Sequence, residues 1–445
     1  MNTLKTKIIV LDDDPTGSQT VHSCLLLTRW DQDTLRHALL DDAPLFFILT
    51  NTRGMDAVRA TAVTREVCRN LKLTLDALAT QGIDFNPIYV SRSDSTLRGH
   101  YPVETDVMSD ELGGTRGFDA HFLTPAFFEG GRFTRDSIHY LMVDGVATPV
   151  HQTEFSRDSV FAYSTSYLPD YVEEKTAGRI KANQVERFLL SDTLADIPAR
   201  LMALHDNTCC VVDAETQSDL DRFATQLQAA AANGKRFLFR SAASLLTALA
   251  QLPPQPVAAN AMRQYVRHGQ PGAVIVGSHV KKTTAQLNQL LRESGIVAIE
   301  VDVDRIATER KALLQEILQQ AEKTHQAGKT PVIYTSRVER SFANQAARLI
   351  FGEQVSALLM DVVRGLPTSL GFLISKGGIT SNDVLSDGLA LKSSRVLGQI
   401  LPGCSVVRCP SDHPRYAEMP IVIFPGNVGD DTALATAYRR LTGLS

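Results

Sequence analysis

Short runs of apolar residues alternate along this chain with longer stretches in which apolar residues recur at helical spacing. The short runs predict β-strands at 7–11, 45–50, 87–91, 121–125, 209–214, 273–277, 297–302, 331–336, 371–375 and 420–424. The longer stretches predict helices at 56–80, 217–233, 242–251, 282–294, 306–325 and 341–360. Strands that alternate with helices are typical of parallel βαβ units. The pattern therefore predicts an α/β fold.

A proline-rich segment interrupts this alternation near the middle of the chain. The sequence QLPPQPVAAN, residues 251–260, contains three prolines, which neither helices nor central strands accommodate. We predict two domains, 1–250 and 258–445, each built on a mainly parallel sheet flanked by helices. The segment 130–200 is rich in Thr, Ser, Tyr and Asp, and we expect it to wrap around the first sheet.

Composition and charge exclude several classes of function. The 445 residues are 44% hydrophobic and 21% charged, with a formal net charge of -4. The chain has no basic tract that would suggest nucleic acid and no apolar run of the ~18 residues that span a membrane. Its six cysteines form no CxxC pair, and Cys409 and His413 lack the second pair of a zinc set. We expect reduced thiols and a cytoplasmic protein, either monomeric or a homo-oligomer.

Polar clusters follow the predicted strands of the first half. They read DDDPTG, NTRGMD, SRSDSTLRG and TPAFFEGGRFT. Because the carboxyl ends of parallel strands share one edge of a sheet, residues distant in sequence should converge there. The candidates are Asp13, Asp14, Arg53, Asp94, Arg98 and Arg132. Arg binds carboxylates bidentately and Asp accepts hydrogen bonds from hydroxyls, so this set suits a small polyhydroxylated acid.

Other polar residues near these clusters have simpler interpretations. Asp12 is interpreted as a helix N-cap or a structural residue. Glu104 and Asp106 are expected in the first turn of a helix that starts near Pro102, where acidic residues favour the helix dipole. His100 and His121 are interpreted as structural or supporting residues.

Glycine-rich turns follow the predicted strands of the second half. These ends read GSHVKKT, TSRVER, SKGGIT and FPGNVGDD. Such turns let backbone N–H groups approach an anion closely, so together they predict a phosphate cradle. The chain has neither a Walker A motif nor a Rossmann GxGxxG after a strand. P-loop NTPases and ordinary dehydrogenases are therefore disfavoured.

The motifs DDDPTG, SDSTLRG, PAF…GRFT, VGSH…T, GGIT and PGNVG together resemble those of the four-carbon acid sugar kinases. The resemblance runs from Ile8 to Leu434, with the motifs in the expected order. It implies an N-terminal domain that binds the sugar acid and a C-terminal domain that binds ATP, with the active site in the cleft between the domains. The acid would be of the threonate, erythronate or 3-oxo-tetronate type, phosphorylated on its terminal hydroxyl.

Matching positions, together with Arg53, Ile379 and Asn427 from the polar and glycine-rich strand ends, give two sets of site residues. The substrate side comprises Asp13, Asp14, Arg53, Arg92, Asp94, Ser95 and Arg98. The nucleotide side comprises Gly277, Ser278, Gly377, Gly378, Ile379, Thr380, Gly426, Asn427 and Gly429. The chain departs from the usual family pattern at DDDPTGSQ, at Arg92, at Ile379 and in its last glycine loop, which indicates a separate subgroup.

Phosphoryl transfer assigns provisional roles to these residues. Arg92 or Arg98 would hold the substrate carboxylate, and Asp14 or Asp94 would orient the attacking hydroxyl and accept its proton, with Asp14 slightly favoured. Three adjacent aspartates repel one another; we expect substrate hydroxyls, an arginine and Mg²⁺ to meet them in a solvated cleft. Two alternatives remain: a metal-dependent sugar-acid aldolase or dehydratase that acts without ATP, and a non-catalytic sugar-acid sensor.

Overall fold

The chain divides into two compact units, Met1–Pro253 and Pro254–Ser445. The computed structural model describes residues 5–278, 280–337, 345–426 and 428–444. The division between the units falls within the proline-rich segment 251–260. In the described part of the chain, no helix combines the length and the apolar character that crossing a membrane requires.

The first unit is built on a parallel sheet. Its strands in chain order are β1 (Lys5–Asp12), β2 (Leu25–Leu27), β3 (Leu45–Leu49), β4 (Phe85–Arg92), β5 (Ala120–Thr124), β6 (Arg132–Arg135), β7 (Ile138–Val143), β8 (Val146–Pro149), β9 (Glu186–Phe188), β10 (Thr208–Val212) and β11 (Phe237–Ser241). Eight of them form the main sheet in the order β2-β3-β1-β4-β11-β5-β10-β9, and every pairing among these is parallel. The remaining three form the antiparallel sheet β6-β7-β8.

Seven α-helices accompany these strands among the described residues. They are α1 (Gln32–Leu40), α2 (Ala57–Ala79), α3 (Val103–Leu112), α4 (Leu168–Lys175), α5 (Ile197–Ala203), α6 (Gln217–Ala232) and α7 (Ala243–Ala250). Helix α2 begins where the Asp56 side chain accepts a hydrogen bond from the Arg59 amide. Helix α6 begins with a capping box between Thr216 and Asp219, which fixes the direction in which the helix leaves the sheet.

The central strands of this unit are buried throughout. All five residues of β3 are buried, as are the last six of β1. Because helices cover both faces of a parallel sheet, its strands appear in the sequence as continuous apolar runs. These are the runs that predicted the strands. The segment 130–200 instead contributes the antiparallel sheet, two short helices and β9, which joins the main sheet beside β10.

The second unit also has a mainly parallel sheet. Its strands are β12 (Ala273–Val276), β13 (Ile296–Val301), β14 (Thr330–Thr335), β15 (Leu373–Lys376), β16 (Ser393–Leu401), β17 (Cys404–Arg408) and β18 (Pro420–Phe424), and its helices are α8 (Lys281–Leu290), α9 (Ile306–Gln326), α10 (Gln345–Gly365), α11 (Gly378–Asp383) and α12 (Ala433–Thr442). The strand order is β13-β14-β12-β15-β18-β17-β16, parallel from β13 to β18 and antiparallel beyond it.

The predicted α/β fold with mainly parallel sheets is confirmed. Every predicted strand is present with its ends within two residues of the expected position. Of the predicted helix 341–360, residues 341–344 lie outside the described part of the chain, and α10 covers the rest and continues to Gly365. The sequence analysis missed the short strands β2 and β9, the antiparallel strands, and β11.

Candidate active site

In the first unit, polar residues align at the carboxyl ends of neighbouring strands. Asp12 of β1 pairs with Arg92 of β4, Arg92 with Ser241 of β11, and Ser241 with Thr124 of β5. Arg92 is part of this row, and the loops that follow β1, β3 and β4 carry the other predicted substrate residues. The strand order, which places β11 between β4 and β5, brings together segments that are far apart in sequence.

Arg53 binds both Asp13 and Asp14. Its Nη2 and Nε lie 2.5 and 3.2 Å from the two carboxylate oxygens of Asp13, and its Nη1 lies 3.2 Å from Oδ2 of Asp14. Arg53 sits on a short 3₁₀ turn, and its amide donates to the backbone oxygen of Asp13 at 3.2 Å. One arginine therefore bridges two neighbouring carboxylates and fixes their orientation.

The two carboxylates differ in their electrostatic surroundings. Burial raises the pKa of Asp13, and Arg53 opposes that rise. Burial acts in the same direction on Asp14, but Arg53 and two hydrogen bonds from Thr16 outweigh it and lower the pKa of Asp14 below its ordinary value. Asp14 also keeps about a fifth of its side chain exposed. It is therefore the ionised, accessible member of the pair.

Asp12 differs from its two neighbours and corrects two expectations. It is fully buried, its Oδ2 has no hydrogen-bond partner, and Arg92 Nη1 approaches its Oδ1 only to 3.8 Å. Burial raises the pKa of Asp12 to about 8. No helix starts here, so Asp12 is not an N-cap. The side chains of Asp12 and Asp13 are also buried, not exposed to solvent as expected, and Arg53 supplies the compensating charge for Asp13.

The second polar loop is organised around Asp94. Its Oδ2 accepts hydrogen bonds from the Thr96 hydroxyl and from Nε of Arg98, the latter at 2.7 Å. Burial raises the pKa of Asp94, but Arg53 and Arg98 overcome this effect and hold it well below its usual range. Nη1 of Arg98 lies 3.5 Å from Asp158, and its guanidinium lies over the Phe155 ring. Asp94 is thus ionised, and it holds the Arg98 guanidinium at Nε.

A small recess opens between these loops and the sheet edge. It is lined by Ser93, Asp94, Leu97, Arg98, Leu123, Pro125, Tyr171 and Arg240. Three of these residues carry charge, and one of them, Asp94, is a predicted catalytic candidate. Asp13, Asp14 and Arg53 do not line this recess, although Arg53 contributes to the low pKa of Asp94.

The predicted residues Arg92 and Ser95 are buried in the same region. Arg92 is 4% exposed and lies against Asp12, whereas a quarter of the Arg98 side chain is exposed. Ser95 presents its backbone oxygen to Nε2 of His139 at 2.8 Å. Burial lowers the pKa of His139 to about 4, so this histidine is neutral and acts as a fixed donor. Nε2 of His100 lies 3.1 and 3.0 Å from the backbone oxygens of Thr52 and Met55.

Sequence analysis missed a buried ion pair beneath these loops. Arg240 of β11 bonds Glu104 of α3 and the Ser91 hydroxyl, and Glu104 accepts a further bond from the Thr52 hydroxyl at 2.5 Å. Glu104 does lie in the first turn of α3, as predicted, but its carboxylate faces Arg240. The apolar run FLFRS after the end of helix α6 was the signal that could have revealed β11 and Arg240.

In the second unit, the glycine turns also meet at one sheet edge. Lys376, the last residue of β15, pairs with Val276 of β12 on one side and with Phe424 of β18 on the other. The turns that begin at Gly277, Gly377 and Gly426 follow these three adjacent strands. Asn427, a predicted nucleotide residue, lies outside the described residues.

The turns pack closely enough to require glycine. A Cβ on Gly277 would lie 2.4 Å from the Thr380 hydroxyl oxygen, and Gly377 has a φ of +115°. Gly378 is the first residue of α11, and Ile379 beside it is 76% exposed. Arg337 donates to the backbone oxygen of Ser278 at 2.7 Å. The edge thus combines glycine turns with cationic side chains, an arrangement suited to an anion.

Metal-binding side chains are not grouped in this structure. Among the described residues, no three His, Cys, Asp or Glu side chains come together as a set that could hold a metal ion. Mg²⁺ in kinases is typically held by one or two carboxylates together with substrate phosphates.

The chain thus comprises two α/β units, one with an arginine–carboxylate cluster at the carboxyl edge of its main sheet and one with glycine turns at the corresponding edge. A model of a sugar-binding N-terminal domain matches residues 8–249, and a model of a nucleotide-binding C-terminal domain matches residues 273–434. The chain belongs to the four-carbon acid sugar kinase family. It is accordingly a phosphotransferase with an alcohol group as acceptor.

Individual relatives match along almost their whole length. A D-erythronate kinase from Heliobacterium modesticaldum is 23% identical over 450 residues, covering 96% of this chain and 95% of the relative. A solved structure from Salmonella typhimurium LT2, provisionally described as a tRNA synthase, is 19% identical, with a TM-score of 0.70. The match covers 98% of this chain and 99% of that one. A Haemophilus influenzae structure is 16% identical, with a TM-score of 0.65 and coverage of 97% and 100%. These two structures support the fold alone.

Proposed function

We propose that this protein transfers the γ-phosphoryl group of ATP to the terminal hydroxyl of a four-carbon sugar acid of the threonate, erythronate or 3-oxo-tetronate type. The observation that carries the proposal is the cluster of two arginines and three carboxylates at the carboxyl edge of the first sheet, formed by Asp13, Asp14, Arg53, Asp94 and Arg98. The similarity to a D-erythronate kinase supports this substrate class.

Arg98 is the proposed ligand of the substrate carboxylate. It lines the recess, keeps part of its guanidinium exposed, and is anchored through Nε to Asp94. Its Nη1 lies 3.5 Å from Asp158, so Nη2 is the guanidinium nitrogen proposed to reach a bound acid. Arg92 is the weaker choice because it is buried against Asp12.

Asp14 and Asp94 are the proposed candidates for orienting and deprotonating the hydroxyl. A general base has to be ionised before the reaction, and both carboxyls have a lowered pKa. Asp94 lines the recess beside Arg98, and Asp14 is the partly exposed member of the pair held by Arg53. Asp12, with a pKa of about 8, carries its proton at neutral pH and is not a candidate.

The glycine turns of the second unit are the proposed phosphate site. Backbone N–H groups at 378–380 and in the loop that starts at Gly426 would donate to phosphate oxygens, whereas the Gly377 N–H is bonded to the backbone oxygen of Phe424. Ser278 would lie close to the nucleotide, and Arg337 adds positive charge next to Ser278. We also propose that Mg²⁺ accompanies ATP; when bound to the phosphates it would neutralise charge on the transferring group. A cytoplasmic location is supported by six free, buried cysteines.

A coupled assay of ADP release tests this function. The protein is supplied with ATP and Mg²⁺, and each stereoisomer of threonate, erythronate and 3-oxo-tetronate is added in turn. ADP release that depends on one of these acids is the expected result. Acid consumption without ATP would indicate an aldolase or dehydratase, and tight acid binding with no turnover would indicate a sensor; either result would refute the proposal.

Single substitutions separate the two candidate bases. Asn is nearly isosteric with Asp but cannot accept the proton, so loss of the base should lower kcat by about 10²–10⁴-fold. We compare Asp14→Asn with Asp94→Asn at saturating acid and ATP. If neither variant loses more than about tenfold, both assignments are wrong.

A further inference from the structure

Two buried side chains donate hydrogen bonds to backbone carbonyls of the last glycine loop of the second unit, which follows β18. Nζ of Lys376 donates to the backbone oxygens of Pro425 and Gly426, at 2.5 and 3.2 Å. Nε2 of Gln286, on helix α8, donates to the backbone oxygens of Val428 and Asp430, at 2.9 and 2.8 Å. Both Lys376 and Gln286 are fully buried. Four carbonyl groups of this short loop are therefore turned towards the protein interior.

This arrangement determines where the loop amides point. In a trans peptide the C=O of one residue and the N–H of the next lie on opposite sides of the chain. Since the carbonyls of Pro425, Val428 and Asp430 face Lys376 and Gln286, the N–H groups that share those peptide units must face away from them. These are the amides of Gly426, Gly429 and Asp431.

The conformation of Gly429 agrees with such a loop. Its φ is +77°, and a Cβ at this position would lie 2.4 Å from Cβ of Ala433 in helix α12. A left-handed residue within a turn lets successive N–H groups converge on one side, which is the geometry of anion-binding nests. The loop follows β18, next to the turn that begins at Gly377.

We propose that Lys376 and Gln286 are positioning residues that aim the amides of Gly426, Gly429 and Asp431 at the phosphates of the nucleotide. They act through the loop carbonyls and need not touch the phosphates themselves. This inference rests on the proposed function, since it assumes that the anion is ATP. Burial lowers the pKa of Lys376 to about 7, and a neutral amine still has the two N–H groups that the two carbonyls require.

The chain contains a matched control for each residue. Lys7 in the first unit is also a fully buried lysine, and its Nζ donates to two backbone oxygens, those of Asp41 and Ala43, both at 2.6 Å. Gln255 in the second unit is half-buried, and its Nε2 donates to the backbone oxygens of Val257 and Gln399 at 2.6 and 3.1 Å. Neither control belongs to a proposed site.

The test compares Lys376→Met and Gln286→Leu with Lys7→Met and Gln255→Leu. Calorimetry gives the Kd for ATP, steady-state kinetics give KM for ATP and for the sugar acid, and thermal melting gives stability. We expect Lys376→Met and Gln286→Leu to raise Kd and KM for ATP at least tenfold, with KM for the acid within twofold of wild type. The control variants should lower the melting temperature but leave Kd for ATP within twofold.

A measurement on the wild-type protein covers the case in which the variants do not fold. Hydrogen exchange of a peptide that spans residues 425–431 should slow when ATP is added, because outward-facing amides become bonded to phosphate. Unchanged exchange in the presence of bound ATP would overturn the inference, as would unchanged ATP affinity in either folded loop variant. If the wild-type protein does not bind ATP at all, the proposed function fails and this inference fails with it.

Discussion

The ion pair between Arg240 and Glu104 is the part of the first unit whose loss should be most costly. The two side chains are 2% and 6% exposed, and their bonds to Ser91 and Thr52 connect β4, β11, α3 and the turn that carries Arg53. Replacing Arg240 with Met preserves much of the side-chain volume but leaves the carboxylate of Glu104 buried without its cation.

Breaking a buried pair by removing one partner typically costs ~3–5 kcal/mol. For a unit of this size, that corresponds to a fall in melting temperature of about 6–20 °C. A surface pair provides the comparison. Arg179 and Asp106 form an ion pair with side chains that are 55% and 41% exposed, and Arg179→Met should cost at most ~1 kcal/mol.

Unfolding of the first unit can be followed separately because Trp30, the single tryptophan, lies within it. Urea titrations monitored by tryptophan fluorescence would be compared for wild type, Arg240→Met and Arg179→Met. A double variant, Arg240→Met with Glu104→Gln, should recover part of the loss because it removes the unpaired charge. If Arg240→Met costs no more than Arg179→Met, the reasoning about this buried pair is refuted.

Three further predictions concern the substrate loops. Asp12→Asn should keep kcat within about tenfold of wild type, because a carboxyl with a pKa of about 8 is already neutral at pH 7. The folded state retains a proton that the unfolded state releases above pH ~4, so wild type loses stability as the pH rises towards 8. The stability of the Asn variant relative to wild type should therefore increase from pH 5 to pH 8 in denaturant titrations; a constant difference would contradict the assignment. Gly17→Ala would place a Cβ 1.9 Å from Oδ2 of Asp12 and should lower the free energy of unfolding by about 1–3 kcal/mol. Gly54→Ala is the control: it has open space around it and should leave the free energy of unfolding nearly unchanged. Equal losses of stability in the two variants, measured in the same titrations, would rule out this steric explanation. Arg98→Met removes charge-assisted bonds worth roughly 1.5–3 kcal/mol, so KM for the acid should rise about 10–100-fold while kcat changes much less; equal loss in both kinetic constants would place Arg98 at the transferring phosphoryl group instead.

Most strands that are buried on both faces were predictable, although β11, whose five residues are all buried, was missed. Such strands, β3 for example, form continuous apolar runs that need no knowledge of their neighbours. The hairpin of β16 and β17 was missed although Pro402 and Gly403 mark its turn, because polar residues and Gly398 interrupt the apolar residues of β16, SSRVLGQIL, and because β17 has only five residues. The three residues of β2 are too few to show any period.

The sequence showed which strand ends carry the candidate site residues, but not which arginine binds which carboxylate. Sequence position placed Asp13, Asp14 and Arg53 at one edge, since parallel strands share it. Which carboxylate meets which arginine depends on burial and strand order. Arg240 reaches Ser91, 149 positions earlier, only because β11 lies beside β4.

Lys376 shows the same limit in the second unit. It precedes the GGIT turn directly, yet a lysine in a sequence is ordinarily expected at the surface. Only the structure reveals that it is buried under the last glycine loop.

The most direct test of the central claim follows the phosphoryl group itself. The protein is incubated with ATP labelled in the γ-phosphate, Mg²⁺ and each four-carbon sugar acid, and the products are identified by phosphorus NMR and mass spectrometry. The account predicts a phosphate ester on the terminal hydroxyl of one acid, formed in equal amount to ADP and absent when the acid is omitted. Labelled inorganic phosphate as the only phosphorus product besides ADP, or no transfer to any acid of this class, would contradict it.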